Sequence, residues 1–182
     1  MYSQLVENAI RKAIELHANQ YRKTNPNLPY VSHLFHVAMI LRQAGYSDEV
    51  VTAGLLHDVL EDTKYMLEDL EEDFGYEVAS LVCAVTENKA LKWEERKSEY
   101  VDQISTAPDE VKAISCADKT HNLRTLLEAH RDMGDGLWSI FSRGKRQTLD
   151  FYVSMLRALE TNWNHPLLDD YRAVVNDAQR IM

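Results

Sequence analysis

The stretch AGLLHDVLEDT, residues 53–63, sets His57, Asp58, Glu61 and Asp62 into a run otherwise dominated by Leu, Val and Ala. At about 100° per residue of α-helix, Asp58, Glu61 and Asp62 all fall within about 140° of His57, on one arc. Carboxylates that close repel one another and drift toward protonation unless a positive partner holds them ionised. A divalent cation is the economical partner, because it keeps the acids charged and accepts a neutral imidazole nitrogen as donor. A solvated acidic face is the competing explanation for Glu61 and Asp62, since the chain continues as EDTKYMLEDLEED. It does not explain the His57–Asp58 pair that follows the apolar AGLL. Two adjacent residues cannot enclose an ion, so other segments must contribute. His33 in PYVSHLFHVA and Asp118 in ISCADKTHNLRT are the candidates, each in apolar surroundings where an unpaired polar group needs a reason. Asn122 lies one helical turn beyond Asp118, on the same face.

The elements that must carry these residues are helices. Val37, Ile40, Leu41 and Ala44 recur at helical spacing, as do Val78, Leu81, Val82 and Val85, and Leu149, Val153, Leu156 and Leu159. No run of alternating apolar and polar residues marks a strand. Six glycines and four prolines in 182 residues leave long elements uninterrupted. One helix is expected to end at Gly45, with Ser47 or Asp48 capping the next, and Asp109 precedes a long helical stretch. YRKTNPNLPY and HRDMGDGLW read as loops. The expectation is one all-α domain over residues 1–182, compact, with about seven to nine helices of ordinary length.

Composition narrows the function. The formal charge of −9 argues against a general nucleic-acid binder, which would carry a basic face. No apolar run approaches the roughly 20 residues needed to cross a bilayer. The opening MYSQLVENAIRKAIELH is charged where a signal peptide must be apolar, which points to a cytoplasmic protein. Cys83 and Cys116 read as two buried free thiols, because a chain of this size needs no disulfide.

The order His33, His57–Asp58, Asp118 resembles the HD superfamily of metal-dependent phosphohydrolases. RKTNPNLPYVSH, LLHDVLEDT, FGYEVASLVCAVTENK and ADKTHNLRT are similar to the hydrolase domain of the Rel/Spo family, from about Ala13 to Thr125 and more loosely through FSRGKRQTLDFY. That resemblance implies a small stand-alone alarmone hydrolase that removes the 3′-pyrophosphate from ppGpp or pppGpp. It makes His33, His57, Asp58 and Asp118 the ligands of a divalent metal, Mn²⁺ in the family, with Fe²⁺, Co²⁺ or Zn²⁺ compatible with the same donors. It makes Glu61 and Asp62 the catalytic acidic pair, and places Arg22, Lys23 and Asn122 at the nucleotide. The chain departs from the family at Leu34, where Pro commonly follows the ligand His. It departs also at Lys119–Thr120, where the long enzymes usually have Arg-Leu, and in the loop from Lys23 to Pro29.

Glu61 is expected to accept a proton from the attacking water, with Asp62 assisting. Arg22 is expected against the base, its flat guanidinium suited to stacking, and Lys23 with Lys145 near the phosphates. For SRGKR, residues 142–146, a solvated surface explains the basic charge equally well. His36 is expected in packing or in a hydrogen bond behind His33, and His17 behind the Arg-Lys loop. His121 should point about 100° away from Asn122. The rival readings are another HD phosphohydrolase, such as a 5′-nucleotidase or an NADPH 2′-phosphatase, a non-catalytic alarmone-binding module, and a purely structural helical protein. The partner is in any case expected to be a small nucleotide, with the oligomeric state open.

Overall fold

The computed structural model describes residues 2–182. Helices α1 (Gln4–Leu16), α2 (Val31–Gln43), α3 (Asp48–Leu56) and the short α4 (Val59–Asp62) come first. Helices α5 (Leu67–Val85), α6 (Trp93–Ser105) and α7 (Asp109–Met133) follow. A 3₁₀ turn at Gly134–Ile140 then leads to α8 (Gly144–Glu160) and α9 (Leu167–Gln179). The fold is all-α, as expected. Among the described residues no helix is long and apolar enough to cross a membrane.

α7 is the axis of the molecule. Val111 to Thr120 are buried without interruption, and α2, α3, α5, α6, α8 and α9 all pack on this helix. A helix buried on every side leaves its polar residues facing neighbours, so Asp118 and Lys119 must be partnered inside the protein. α2 closes at Gly45, whose φ of +85° suits a residue without Cβ, and the Tyr46 N–H reaches back to the Leu41 carbonyl. Ser47 then caps α3, its hydroxyl accepting from the Val50 N–H at 3.4 Å.

Four sequence expectations change. HRDMGDGLW is not a loop, since α7 runs on through Met133 and Gly134–Ile140 forms the 3₁₀ turn. YRKTNPNLPY is not simply a loop: Tyr21–Arg22 (β1) and Asn25–Pro29 (β2) pair as a small antiparallel hairpin. Every residue of β2 is exposed, so the alternation that signals a strand is absent. Cys83 is exposed on α5, whereas Cys116 is buried. The run at residues 53–63 is also not one helix. It breaks at His57–Asp58, between α3 and α4. His57 Nδ1 donates to the Gly54 carbonyl at 2.8 Å, the acceptor that an unbroken helix offers the Asp58 N–H.

Gly54 also lets α3 approach α2. A Cβ there would lie 2.5 Å from Leu41 Cδ1. Gly54→Ala gains up to about 1 kcal/mol of helix propensity but overpacks this contact, at about 1–3 kcal/mol. Net destabilisation, read as a lower denaturant midpoint, is the expected outcome.

Candidate active site

Four side chains from three stretches of chain converge between α2, the α3–α4 break and α7. His33 Nε2 lies 3.1 Å from Asp118 Oδ1 and 3.9 Å from Asp58 Oδ2. His57 Nε2 lies 3.1 Å from Asp58 Oδ2 and 3.6 Å from Asp118 Oδ1. Ligand atoms of His33, His57 and Asp58 all fall within 4.8 Å of one another, the span of donors around a single ion. Both Nε2 atoms are buried and have no hydrogen-bond partner. An orphaned buried nitrogen is costly, and two of them facing two carboxylates fit a divalent cation. His57 Nδ1 is held by the Gly54 carbonyl, which turns Nε2 toward that point; burial opposes charge on this ring, but Asp58 and Asp118 outweigh it and raise His57.

The carboxylates are oriented from behind. The Tyr30 hydroxyl donates to Asp58 Oδ2 at 2.6 Å. The Asn122 amide donates to Asp118 Oδ1, and Lys119 Nζ lies 2.6 Å from Asp118 Oδ2. Burial opposes charge on Asp118, but Lys119 and the two imidazoles outweigh it and hold the carboxyl well below its ordinary range. Burial lowers His33, which favours the neutral ring a metal needs.

Glu61 and Asp62 lie one turn further on, beside a cavity of about 380 Å³ lined by His57, Asp58, Asp118, Lys119 and Asn122. Glu61 Oε1 accepts the Glu87 backbone N–H at 2.7 Å. Burial raises Glu61 to about 7; the Glu87 N–H opposes the shift, while the Asp58 and Glu87 charges add to it. Lys89 binds the Glu61 carbonyl at 2.9 Å and pairs with the Asp62 carboxylate. The lining also carries basic side chains. Arg96 and Lys97 both pair with Glu87, and Arg143 is held by Glu94 at 2.7 Å.

A second cavity of about 290 Å³ shares Lys23, Tyr30, Asn122, Phe141 and Tyr152 with the first. Arg22 lines it, with its guanidinium 5.5 Å from the centre of the Tyr30 ring and Nη2 donating to Asn122 Oδ1 at 2.6 Å. Lys23 stands over Phe141. Both ends of the Asn122 amide are thus engaged, one on Asp118 and one on Arg22.

The structure therefore gathers His33, His57, Asp58, Asp118, Glu61, Asp62, Arg22, Lys23 and Asn122. It does not gather Lys145, which pairs with Asp135 at 2.9 Å, stands over Trp138 and lines neither cavity. Of the SRGKR patch, Ser142 and Arg143 reach the first cavity instead. Lys145→Ala is accordingly expected to leave KM unchanged, whereas Arg143→Ala should raise it. Sequence reasoning also missed Tyr30, Glu87 and Lys89, and it turned His121 away from the site although that residue backs His33 at 2.8 Å. Spacing could have found His121, since three residues past Asp118 is again the Asp118 face.

The model of the HD domain family matches residues 9–143. The chain belongs to the HD domain family. Among its relatives, a Drosophila melanogaster protein named guanosine-3′,5′-bis(diphosphate) 3′-pyrophosphohydrolase MESH1 is 43% identical over 112 residues, 60% of this chain and 63% of its own. A GTP pyrophosphokinase of Streptomyces coelicolor is 35% identical over 161 residues, 86% of this chain but 18% of its own. The matches thus span less than two thirds of either relative. A solved structure described as a metazoan ortholog of SpoT that hydrolyzes ppGpp superimposes with a TM-score of 0.81 at 28% identity, covering 100% of this chain and 99% of the other.

Proposed function

We propose that this HD-domain protein is a divalent-metal-dependent phosphohydrolase, one domain over residues 1–182, that cleaves the 3′-pyrophosphate from ppGpp or pppGpp. Water and the alarmone give GDP or GTP and pyrophosphate. The observation that carries this reading is the pair of unpartnered Nε2 atoms facing two carboxylates, with Glu61 beside them and basic side chains lining the same cavity. The names of the relatives point to the same substrate.

His33, His57, Asp58 and Asp118 hold the cation; Mn²⁺ suits their mixture of imidazole and carboxylate donors. Bound there, a divalent ion supplies Lewis acidity toward water and a phosphoryl oxygen. Glu61, with a carboxyl that titrates near neutrality, accepts the proton of the attacking water. Asp62, tied to Lys89, keeps the short α4 in place and assists that transfer. Lys23, Lys97, Lys119 and Arg143 offset the charge that gathers on the departing pyrophosphate. Arg22 presents its guanidinium plane to the base in the second cavity. Asn122 holds Arg22 and Asp118 in register, so it serves substrate and ion together.

Purified protein with Mn²⁺ and a panel of ppGpp, pppGpp, NADPH and nucleoside monophosphates tests the reading. Pyrophosphate release from ppGpp or pppGpp, abolished by a chelator, is the expected result. Inorganic phosphate from NADPH or a monophosphate, with the alarmones untouched, gives the same site a different substrate. Tight alarmone binding without turnover makes it a binding module.

A further inference from the structure

The imidazole of His121 has no part in the chemistry above, yet it sits directly behind a proposed metal ligand. His121 Nδ1 on α7 is 2.8 Å from His33 Nδ1 on α2, with ring centroids 4.9 Å apart. On its other side His121 stacks on His36 at 4.7 Å, and His36 is anchored in turn by Nδ1 to the Ser32 carbonyl at 2.9 Å.

A neutral imidazole carries its proton on one nitrogen and a lone pair on the other. Two nitrogens facing at this distance cannot both be protonated or both be bare. One must donate to the other. His33 is wholly buried, and its Nε2 faces Asp118 Oδ1 at 3.1 Å. His33 therefore has two self-consistent states. With its proton on Nε2 the N–H faces the Asp118 carboxylate, and no lone pair remains for a cation. With its proton on Nδ1 it needs an acceptor behind it, and Nε2 is then free. Among the hydrogen-bonded partners of His33 Nδ1, His121 Nδ1 is the group that can play this part.

We propose that His121 is a positioning residue: its Nδ1 accepts the His33 Nδ1–H and so holds His33 in the tautomer and orientation that point a lone pair at the cation. The inference rests on the assignment of His33 as a ligand. Metal-bound histidines usually donate to a carboxylate, a backbone carbonyl or water. A neutral imidazole does the same work without adding a third negative charge beside Asp58 and Asp118.

Two variants of opposite character test it. His121→Phe keeps an aromatic ring against His36 but has no acceptor. His121→Asn loses the stacking but keeps an acceptor close to the position of Nδ1. Mn²⁺ affinity, measured by competition with a fluorescent chelator, should weaken about 10- to 100-fold in His121→Phe and stay within about threefold of wild type in His121→Asn. The reverse order assigns His121 to packing and overturns the proposal, as does wild-type affinity in both variants or equal weakening in both. If His121→Phe does not fold, the wild-type protein loaded with Zn²⁺ decides by long-range ¹H–¹⁵N spectra. His33 protonated at Nδ1 and His121 at Nε2 is the expected pair of tautomers, and a protonated His121 Nδ1 overturns the proposal. His33→Ala separates the two levels of argument. Unchanged Mn²⁺ affinity in that variant removes the ligand assignment itself, whereas lost affinity there beside intact affinity in His121→Phe removes only the role of His121.

Discussion

Replacing Glu61 by Gln is expected to reduce turnover by about 10²- to 10⁴-fold while Mn²⁺ stays bound. Glu61 stands one turn beyond the proposed ligands, so the substitution leaves all four of them in place. A Gln can still accept the Glu87 N–H that now binds Glu61 Oε1 at 2.7 Å, so the geometry around α4 should survive. What disappears is the basic carboxylate. Burial raises that carboxyl to about 7, so wild-type activity should fall as pH drops and Glu61 takes up its proton. A cation held by the proposed ligands would favour the ionised form, so the midpoint of this acid limb is expected at or below about 7. Glu61→Gln should remove the limb. The linkage gives a second readout. A carboxyl raised in the folded state contributes stability below its unfolded value, and that contribution is lost as pH rises through about 7. Metal-free Glu61→Gln should therefore melt above the wild type at pH 8 and lose that advantage toward pH 5. Full activity with metal retained, or an acid limb unchanged in the variant, would end the role of Glu61 as base.

Why were the proposed ligands readable from sequence while their supports were not? His33, His57, Asp58 and Asp118 are ionisable groups inside apolar helical stretches, and burial is costly enough to make each one conspicuous. Their meeting needs long-range contacts, but the order of the residues along the chain resembles a known arrangement. The helical register placed Asn122 on the Asp118 face, and the contact between them bears this out. The same geometry applied to residues 53–63 assumed an unbroken helix. The break at His57–Asp58 depends on a side-chain bond to Gly54 that leaves no trace in hydrophobic periodicity. Glu87 and Lys89 reach Glu61 and Asp62 across more than twenty residues of chain, and nothing in TENK announces that encounter. Lys145 and Arg143 show the limit of reading charge. They are two residues apart on the same basic patch, yet Asp135 holds one away while Glu94 turns the other to the cavity. The hairpin at residues 21–29 escaped because an exposed strand buries no face and so carries no alternation.

Asp58 and Asp118 are both proposed ligands, but their neighbours predict different failures. Asp58→Asn and Asp118→Asn should each lower metal-dependent turnover by about 10³-fold or more, since a lost cation removes several kcal/mol of transition-state stabilisation and about 1.4 kcal/mol is a factor of ten. Their metal-free folds should diverge. An amide oxygen at position 58 can still accept the Tyr30 hydroxyl, which now lies 2.6 Å from Asp58 Oδ2. Burial and the Asp118 charge disfavour this carboxylate but His57 outweighs them, so Asp58→Asn sheds a repulsion together with an imidazole contact and should cost about 1–2 kcal/mol. Asp118→Asn instead strips the counter-charge from Lys119, whose ammonium lies 2.6 Å from Asp118 Oδ2 and whose side chain is 11% exposed. Breaking a buried ion pair from one side costs about 3–5 kcal/mol, and the remaining exposure of Lys119 puts the expectation at the lower end. Urea unfolding at pH 7.5 in chelator separates the two, and adding Mn²⁺ closes the test. At a hundredfold excess over its dissociation constant the ion should stabilise the wild type by about 2.7 kcal/mol and neither variant. Equal metal-free stability of the two variants would remove Lys119 as the buried partner of Asp118. A wild-type Mn²⁺ shift in either variant would remove that residue from the ligand set.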